Sequence, residues 1–279
     1  MAFNAIKAKN YPVLIQKFEN ILDDIKTIAP NIIINDRLDT KEDHVKELKK
    51  KNYKVINFED LGEGSKYANL VINAIYPKKQ AIDNHYFGQD YFILRDEFIL
   101  SKEKNITSEI ENILITFGGV DPNNYTEKVV RIINEYCIDK HITITIIAGF
   151  GYNNYDSIQK DKNVVIKKNI SNISDYMYQA DLIFTSAGRT IYEVASIGTP
   201  AIVMGQNERE MTHFFASEKY GFSNLGLGNQ VTEKEVMKEF LRLVNSFETR
   251  KKMSKLMKEQ DLKSGRKRVH NLIQDLIQD

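Results

Sequence analysis

The 279-residue sequence predicts an α/β protein built from two parallel-sheet domains. Three observations carry that expectation. Short apolar runs rich in Ile and Val alternate with longer amphipathic stretches, the pattern of strands buried on both faces and covered by helices. A polar stretch, "LSKEKNITSEIE" from Leu100 to Glu111, interrupts the alternation, which then restarts. In the second series Gly, Ser, Asn and Asp gather where three apolar runs end.

The elements follow in order. "NIIIN" (Asn31 to Asn35) reads as a buried strand, and "KEDHVKELKKKN" as a helix capped by Asp39 or Thr40. "KVINF" is the next strand, and "ANLVINA" and "YFILR" are two more short runs. After the polar break come strand "NILITF", helix "NNYTEKVVRIINEY", strand "ITITIIA" and strand "NVVI". Short helix "ISDYMYQA", strand "DLIF", helix "RTIYEVASIG" and strand "PAIVM" continue the series, and "NEREMTHFFASEKYG" reads as a further helix. From Thr232 three helices are expected, "TEKEVMKEFLRLVNSF", "TRKKMSKLMKEQ" and "GRKRVHNLIQDLIQD", the first opened by a capping box of Thr232 and Glu235. Residues 1–105 thus form the first domain, and residues 106–279 the second domain with its C-terminal helices.

Composition narrows the function. Thirty-nine basic and 38 acidic side chains give a net charge of +1, so no global field draws the chain to nucleic acid or anionic lipid. No apolar run approaches the ~20 residues that cross a bilayer, and the N-terminus has no signal-peptide core. Cys137 is the single cysteine, which fits a cytoplasmic protein. The five histidines, His44, His85, His141, His213 and His270, lack the spacing of a metal site. Nine Lys/Arg between Arg250 and Arg268 face only Glu259 and Asp261, either as a solvated helix face or as a patch for an anionic partner.

The chemistry is expected at the strand ends, where doubly wound sheets bind ligands. "GGVDPNN" (Gly118 to Asn124), "TSAG" (Thr185 to Gly188) and "GQNERE" (Gly205 to Glu210) follow three apolar runs. A helix start offers unpaired N–H groups and a partial positive charge, and small residues at Ala187 and Gly188 let an anion approach. Ser186 either caps that helix or donates to an oxygen. Glu193 lies outside the apolar stripe of Ile191, Val194 and Ala195, free to accept ribose hydroxyls or to pair with Arg189. Gly118 and Gly119 form a tight turn or admit a close ligand. Asp121 reads as a turn and helix-start residue. Asn207 and Glu208 either cap a helix or bind a sugar, and His213 reads as structural.

The segment "TSAGRTIYEVASIGTPAIVMGQNEREMTHFFASEKYG" resembles the donor-binding part of GT-B nucleotide-sugar proteins, and is similar to that of the peptidoglycan N-acetylglucosaminyltransferase. Together with "NFEDLGEGSKYANLVINAIY", "YFILRDEF", "ILITFGGVDPNN" and "SDYMYQADLIFTSAG", it resembles the UDP-sugar hydrolase of pseudaminic acid biosynthesis and the related spore-coat polysaccharide proteins. The resemblance runs from Asn31 to Gly221. It implies a GT-B-like fold of two Rossmann-like domains. It also implies a water-dependent, inverting, metal-independent cleavage of UDP from a 2,4-diacetamido-2,4,6-trideoxyhexose. Carried over by position, the stretch around Ile170 holds the uracil, Gly118, Gly119, Ser186, Ala187 and Gly188 surround the diphosphate, and Glu193 takes the ribose. Asn207, with Glu208 beside it, falls at the sugar.

One departure shapes the expectation. The family opens with a strand and a glycine-rich loop, I-G-x-G-H-x-x-R, whose histidine serves as the base, and this sequence has no counterpart of it. The first domain is therefore expected to be incomplete, through a fragment, a natural variant or a part that works with a fused or separate polypeptide. No catalytic residue is named; Asp36, His85, Asp121 and His213 are the residues to replace first if turnover is ordinary. Binding without turnover, a homodimer through the incomplete domain, a GT-B glycosyltransferase and a non-catalytic nucleotide-sugar module are the companion expectations. No cofactor is expected.

Overall fold

The structure is a computed structural model that describes residues 2–78, 82–149, 151–168 and 170–278. The chain divides into two compact units, Met1–Ile72 with Ile82–His85, and Asn73–Ala81 with Tyr86–Asp279.

The first unit opens with two short helices that the sequence pattern did not indicate, α1 (Ala2–Lys7) and α2 (Ile21–Ile28). Strand β1 (Ile32–Asp36), helix α3 (Glu42–Lys50), β2 (Lys54–Phe58) and β3 (Leu70–Asn73) follow, and β4 (His85–Phe87) begins in this unit at His85. The sheet order is β1-β2-β3-β4, which leaves β1 at an edge. β1, β2 and β3 run parallel, with Ile34 opposite Ile56 and Asn57 opposite Val71. The core is small: Leu22, Val45, Leu48, Val55, Ala68 and Val71. A buried polar network closes the strand ends. The Asp60 carboxylate accepts from the N–H and hydroxyl of Thr40 at 2.8 and 2.6 Å, from Asn57 at 2.6 Å and from the Gly62 N–H at 2.9 Å. That network takes the Thr40 hydroxyl, and α3 starts after Lys41 with no side-chain cap instead of the expected Asp39 or Thr40.

The second unit carries β5 (Asn112–Thr116), α5 (Tyr125–Asp139), β6 (Thr143–Ala148), β7 (Val164–Lys168), α6 (Ile173–Gln179), β8 (Leu182–Thr185), α7 (Thr190–Ile197), β9 (Ala201–Gly205) and β10 (Phe222–Leu227), preceded by the one-turn α4 (Asp96–Ile99). Its six strands are parallel in the order β10-β9-β8-β5-β6-β7. The chain leaves β5 in one direction along the sheet and returns at β8 to run in the other, so the topological switch lies between these two strands. Apolar clusters cover both faces. One gathers Leu114, Ile183, Ile191, Val194 and Phe215, the other Ile113, Ile115, Val129, Ile144 and Phe240. The sequence expectation of two parallel-sheet α/β layers holds in both units.

Three helices complete the unit: α8 (Glu233–Val244), α9 (Phe247–Lys258) and α10 (Gly265–Gln278). Thr232 and Glu235 form the expected capping box on α8. Arg250, in the basic segment, is fully buried. Its guanidinium donates to the carbonyls of Leu243, Val244, Thr107 and Ser108, closing the end of α8 and holding the polar connector.

Two stretches differ from expectation. "YFILR" is a turn leading into a loop, and Phe92, Leu94 and Phe98 enter the core of the second unit. Residues 86–105 therefore pack with the second unit, and α10 lies on them through Arg266 to the Leu94 carbonyl and Arg268 to the Asp90 carbonyl. Residues 207–221 form two single 3₁₀ turns, Glu210–Thr212 and Glu218–Tyr220, and no α-helix. Phe215 stacks on Tyr192 at 4.5 Å between ring centres, and the Glu210 side chain turns back to α7; both contacts outcompete helical propensity.

Candidate functional site

The strand ends at the topological switch form the candidate site, as the position of ligands in doubly wound sheets predicts. A cavity of about 240 Å³ opens there, lined by Thr116, Gly118, Gly119, Gly149, Ile170 and Glu193, together with Arg95, Ile173 and Thr190. Four residues expected at a nucleotide, Gly118, Gly119, Ile170 and Glu193, are thus brought together.

Each side of the cavity has a local cause. Gly118 has φ +81°, a conformation that glycine alone adopts without strain. A Cβ built on Gly118 or Gly119 meets nothing within 4 Å, so both glycines face open space. Gly149, at the end of β6, has a different reason: its Cβ would lie 2.5 Å from the Gly119 Cα, so the two loops touch backbone to backbone. Asp121 sits beneath them. Its carboxylate accepts from the N–H groups of Tyr125 and Thr126 at 3.0 and 2.8 Å and opens α5, in its helix-start reading. It also accepts from the Gln206 amide at 2.8 Å, which ties the loop after β5 to the loop after β9.

Glu193 projects from the first turn of α7 and is 16% exposed. Its carboxylate accepts from Arg95 Nε at 3.0 Å, and Arg95 also pairs with Glu97 at 2.8 Å. Burial pushes the Glu193 carboxyl above its ordinary range, and Arg95 pulls the other way. The guanidinium keeps a half-hidden acid at the cavity wall, where it accepts hydroxyl hydrogen bonds only by sharing.

Ser186, Ala187 and Gly188 are not on that wall. Ser186 and Ala187 are buried, and the donors of this turn already have an acceptor. The Glu210 carboxylate accepts from the Gln206 N–H at 2.8 Å, and the nearby Ser186 hydroxyl and Ala187 N–H favour its charged form. His213 Nδ1 lies 2.8 Å from the Ala187 carbonyl, which sets the ring against the same turn, while its buried Nε2 has no hydrogen-bond partner among the described residues. Asn207 is exposed and accepts from the Glu210 N–H at 3.0 Å, its capping reading; Glu208 is exposed beside it. Of the other base candidates, Asp36 and His85 belong to the first unit.

Sequence reasoning missed Arg95, Thr116, Gly149, Ile173, Thr190 and Glu210. The glycine in "IIAGFG" ends an apolar run as Gly118 does, so the strand-end rule would have found Gly149. Arg95 meets Glu193 across 98 residues, and no local pattern signals such a pair. Among the described residues no group of three His, Cys, Asp or Glu is set to hold a metal ion, and no helix is long and apolar enough to cross a membrane.

Comparison with known proteins supplies the context. No protein-family profile matches the chain. An uncharacterised protein of Methanocaldococcus jannaschii is 36% identical over 210 residues, covering 68% of this chain; the chain spans 43% of that relative's length. The spore coat polysaccharide biosynthesis protein SpsG of Bacillus subtilis is 26% identical over 278 residues, covering 95% of this chain and 82% of SpsG. A Helicobacter pylori protein described as a pseudaminic acid cytidylyltransferase and UDP-2,4-diacetamido-2,4,6-trideoxy-beta-L-altropyranose hydrolase is 24% identical over 213 residues, covering 74% of this chain and 38% of its own. Among solved structures, Acinetobacter baumannii MurG superposes with a TM-score of 0.70 at 15% identity, over 99% of this chain and 88% of its own. A UDP-GlcNAc 2-epimerase from Neisseria meningitidis, solved bound to UDP-GlcNAc, superposes at 0.64 with 14% identity, over 93% and 79%.

Proposed function

We propose, from the premise that this chain is a GT-B glycosyltransferase-like protein with sequence relatives in polysaccharide biosynthesis, that its second unit binds a UDP-sugar and that the protein serves as a UDP-sugar hydrolase. The observation that carries the reading is the convergence of Gly118, Gly119, Ile170 and Glu193 on one cavity at the switch between β5 and β8. In this reading Ile170 packs on the base, Glu193 accepts the ribose hydroxyls beside Arg95, and the bare loop of Gly118 and Gly119 lets the diphosphate approach backbone N–H groups. Asn207 and Glu208 stand toward the sugar. Water adds to the anomeric carbon and gives up one proton to solvent, the bond from that carbon to the phosphate oxygen breaks, and UDP leaves with the electron pair. The relationship to the Helicobacter pylori protein favours a 2,4-diacetamido-2,4,6-trideoxyhexose as the sugar.

A GT-B glycosyltransferase with the same donor site is the second reading, favoured by the likeness to MurG. Incubation of the protein with the UDP-sugar in water separates the two. Release of free sugar without any acceptor supports the hydrolase, and release only after an acceptor is added supports the transferase. Calorimetric binding of UDP with no release in either case leaves a nucleotide-sugar binding module. Binding of CMP in preference to UDP removes the whole proposal.

A further inference from the structure

The turn between β8 and α7 has the features of an anion site, and it is occupied by the chain itself. α7 is eight residues long and has no side-chain cap at its start. The Ser186 hydroxyl and the Ala187 N–H point to one place, and the Gln206 N–H reaches it from the end of β9. The missing side chain at Gly188 leaves the space: a Cβ there would lie 3.1 Å from Glu210 Oε1 and 3.4 Å from Ser186 Oγ. The Glu210 carboxylate fills that space, bonded to the Gln206 N–H at 2.8 Å and facing the other two donors.

We infer that Glu210 is a specificity-determining residue: its carboxylate is a built-in anion on the start of α7, and a ligand's diphosphate reaches those donors only by displacing it. The inference rests on the UDP-sugar reading for the identity of the competing ligand. Two anions do not share one set of three donors, since the pair would repel in a site shielded from water. Burial raises the Glu210 carboxyl above its ordinary range, and the hydrogen bonds from Gln206, Ala187 and Ser186 oppose that rise, so the carboxylate depends on these donors. Displacement needs only a rotation of the Glu210 side chain, because the turn beside it is held by Arg209 Nε on the Tyr76 hydroxyl at 2.8 Å. Glu210 sits on a single 3₁₀ turn, Glu210–Thr212, where Asn207, Glu208 and Thr212 are exposed, and its own N–H donates to the Asn207 side chain at 3.0 Å. Displacement leaves the anchor of the loop intact, because Gln206 remains tied to Asp121 and Asn123. The wall of Ile170 and Glu193 does not include Glu210, so the nucleoside end of a ligand is indifferent to it.

A seat filled in about nine-tenths of the molecules lowers the apparent affinity of a competing anion about tenfold, by the fraction of competent molecules. The test is calorimetric titration of the wild type, Glu210→Gln and Glu210→Ala with UDP, uridine and inorganic pyrophosphate, with thermal unfolding as a control for folding. The expected result is about tenfold tighter UDP in both variants, with uridine unchanged. Equal or weaker UDP binding by a normally folded Glu210→Gln protein overturns the inference, and makes Glu210 a clamp that the site needs. If UDP binds to none of the proteins, pyrophosphate decides separately. A gain in pyrophosphate affinity in the variants keeps the displaced carboxylate and discards the nucleotide reading, and no gain discards both.

Discussion

Replacing Glu193 by alanine tests the ribose contact at a single residue. Loss of a hydrogen bond to a charged group predicts UDP affinity weaker by roughly 1.5–3 kcal/mol, and unchanged affinity in calorimetry takes Glu193 out of the site. Cys137 allows a second residue-scale prediction. It is fully buried in the core behind β6, and burial pushes its thiol up to about 12. A thiolate is the reactive form, so a thiol reagent at neutral pH should leave the native protein unlabelled and label it as it unfolds; fast labelling of the native state would contradict this. Arg250 gives a third. Replacement by methionine leaves four carbonyl acceptors without their donor, a loss of at least about 3 kcal/mol measured by denaturant unfolding. What the sequence revealed at this scale follows one rule. Gly118, Gly119 and Glu193 were legible because small residues at a strand end and an acid off the apolar stripe are local signals, whereas Ile170 came only with the family resemblance. Glu210 and Arg95 were not, since each acts on a partner brought near only by the fold. Arg250 was read as part of a solvated basic face or an anion-binding patch, because a buried guanidinium that serves only carbonyls leaves no charge partner in the sequence.

At the scale of elements, the strands of the second sheet were legible from continuous apolar runs. "NILITF", "DLIF" and "PAIVM" have no polar face to confuse them with surface helices. The two failures share a cause. In "YFILR" a continuous apolar run resembles a strand, and in residues 207–221 aromatic and apolar side chains recur at helix-like intervals; both fill a core, and pattern alone does not tell a packed loop from a regular element. β10 was missed behind the second of these. The capping box on α8 was legible because its partners lie three residues apart, and it can be tested in isolation. Thr232→Ala removes the acceptor for the Glu235 N–H and the donor to the Glu235 carboxylate. The expected cost is about 1 kcal/mol, a fall of roughly 2–4 °C in Tm for a unit of this size. A Tm unchanged within error would show that the end of α8 is held by packing alone.

The whole molecule distributes its apolar surface unevenly. Among the described residues, sixteen large apolar side chains are exposed, and eleven of them belong to the first unit. Ile34, on the edge strand β1, is 56% exposed, and Leu38 just beyond it is 60% exposed. An edge strand with free backbone groups and apolar side chains invites another strand, and a second copy of the same edge satisfies it by twofold symmetry. We therefore predict reversible self-association in sedimentation velocity, weakened by Ile34→Lys; a monomer at high concentration in the unmodified protein would refute this. The second unit shows the opposite tendency in the stretch from Leu100 to Glu111, which reads as a linker. The Lys104 N–H donates to the Ile197 carbonyl at 2.8 Å, its ammonium pairs with buried Asp181 at 2.9 Å, and Arg250 grips the carbonyls of Thr107 and Ser108. Lys258 and Lys263 take the carbonyls of Lys104 and Ser101. To a protease, such a segment is not a cleavage site, because cutting needs several residues of backbone freed at once. Trypsin should spare Lys104 until the second unit opens, and the first nicks should map elsewhere on the chain.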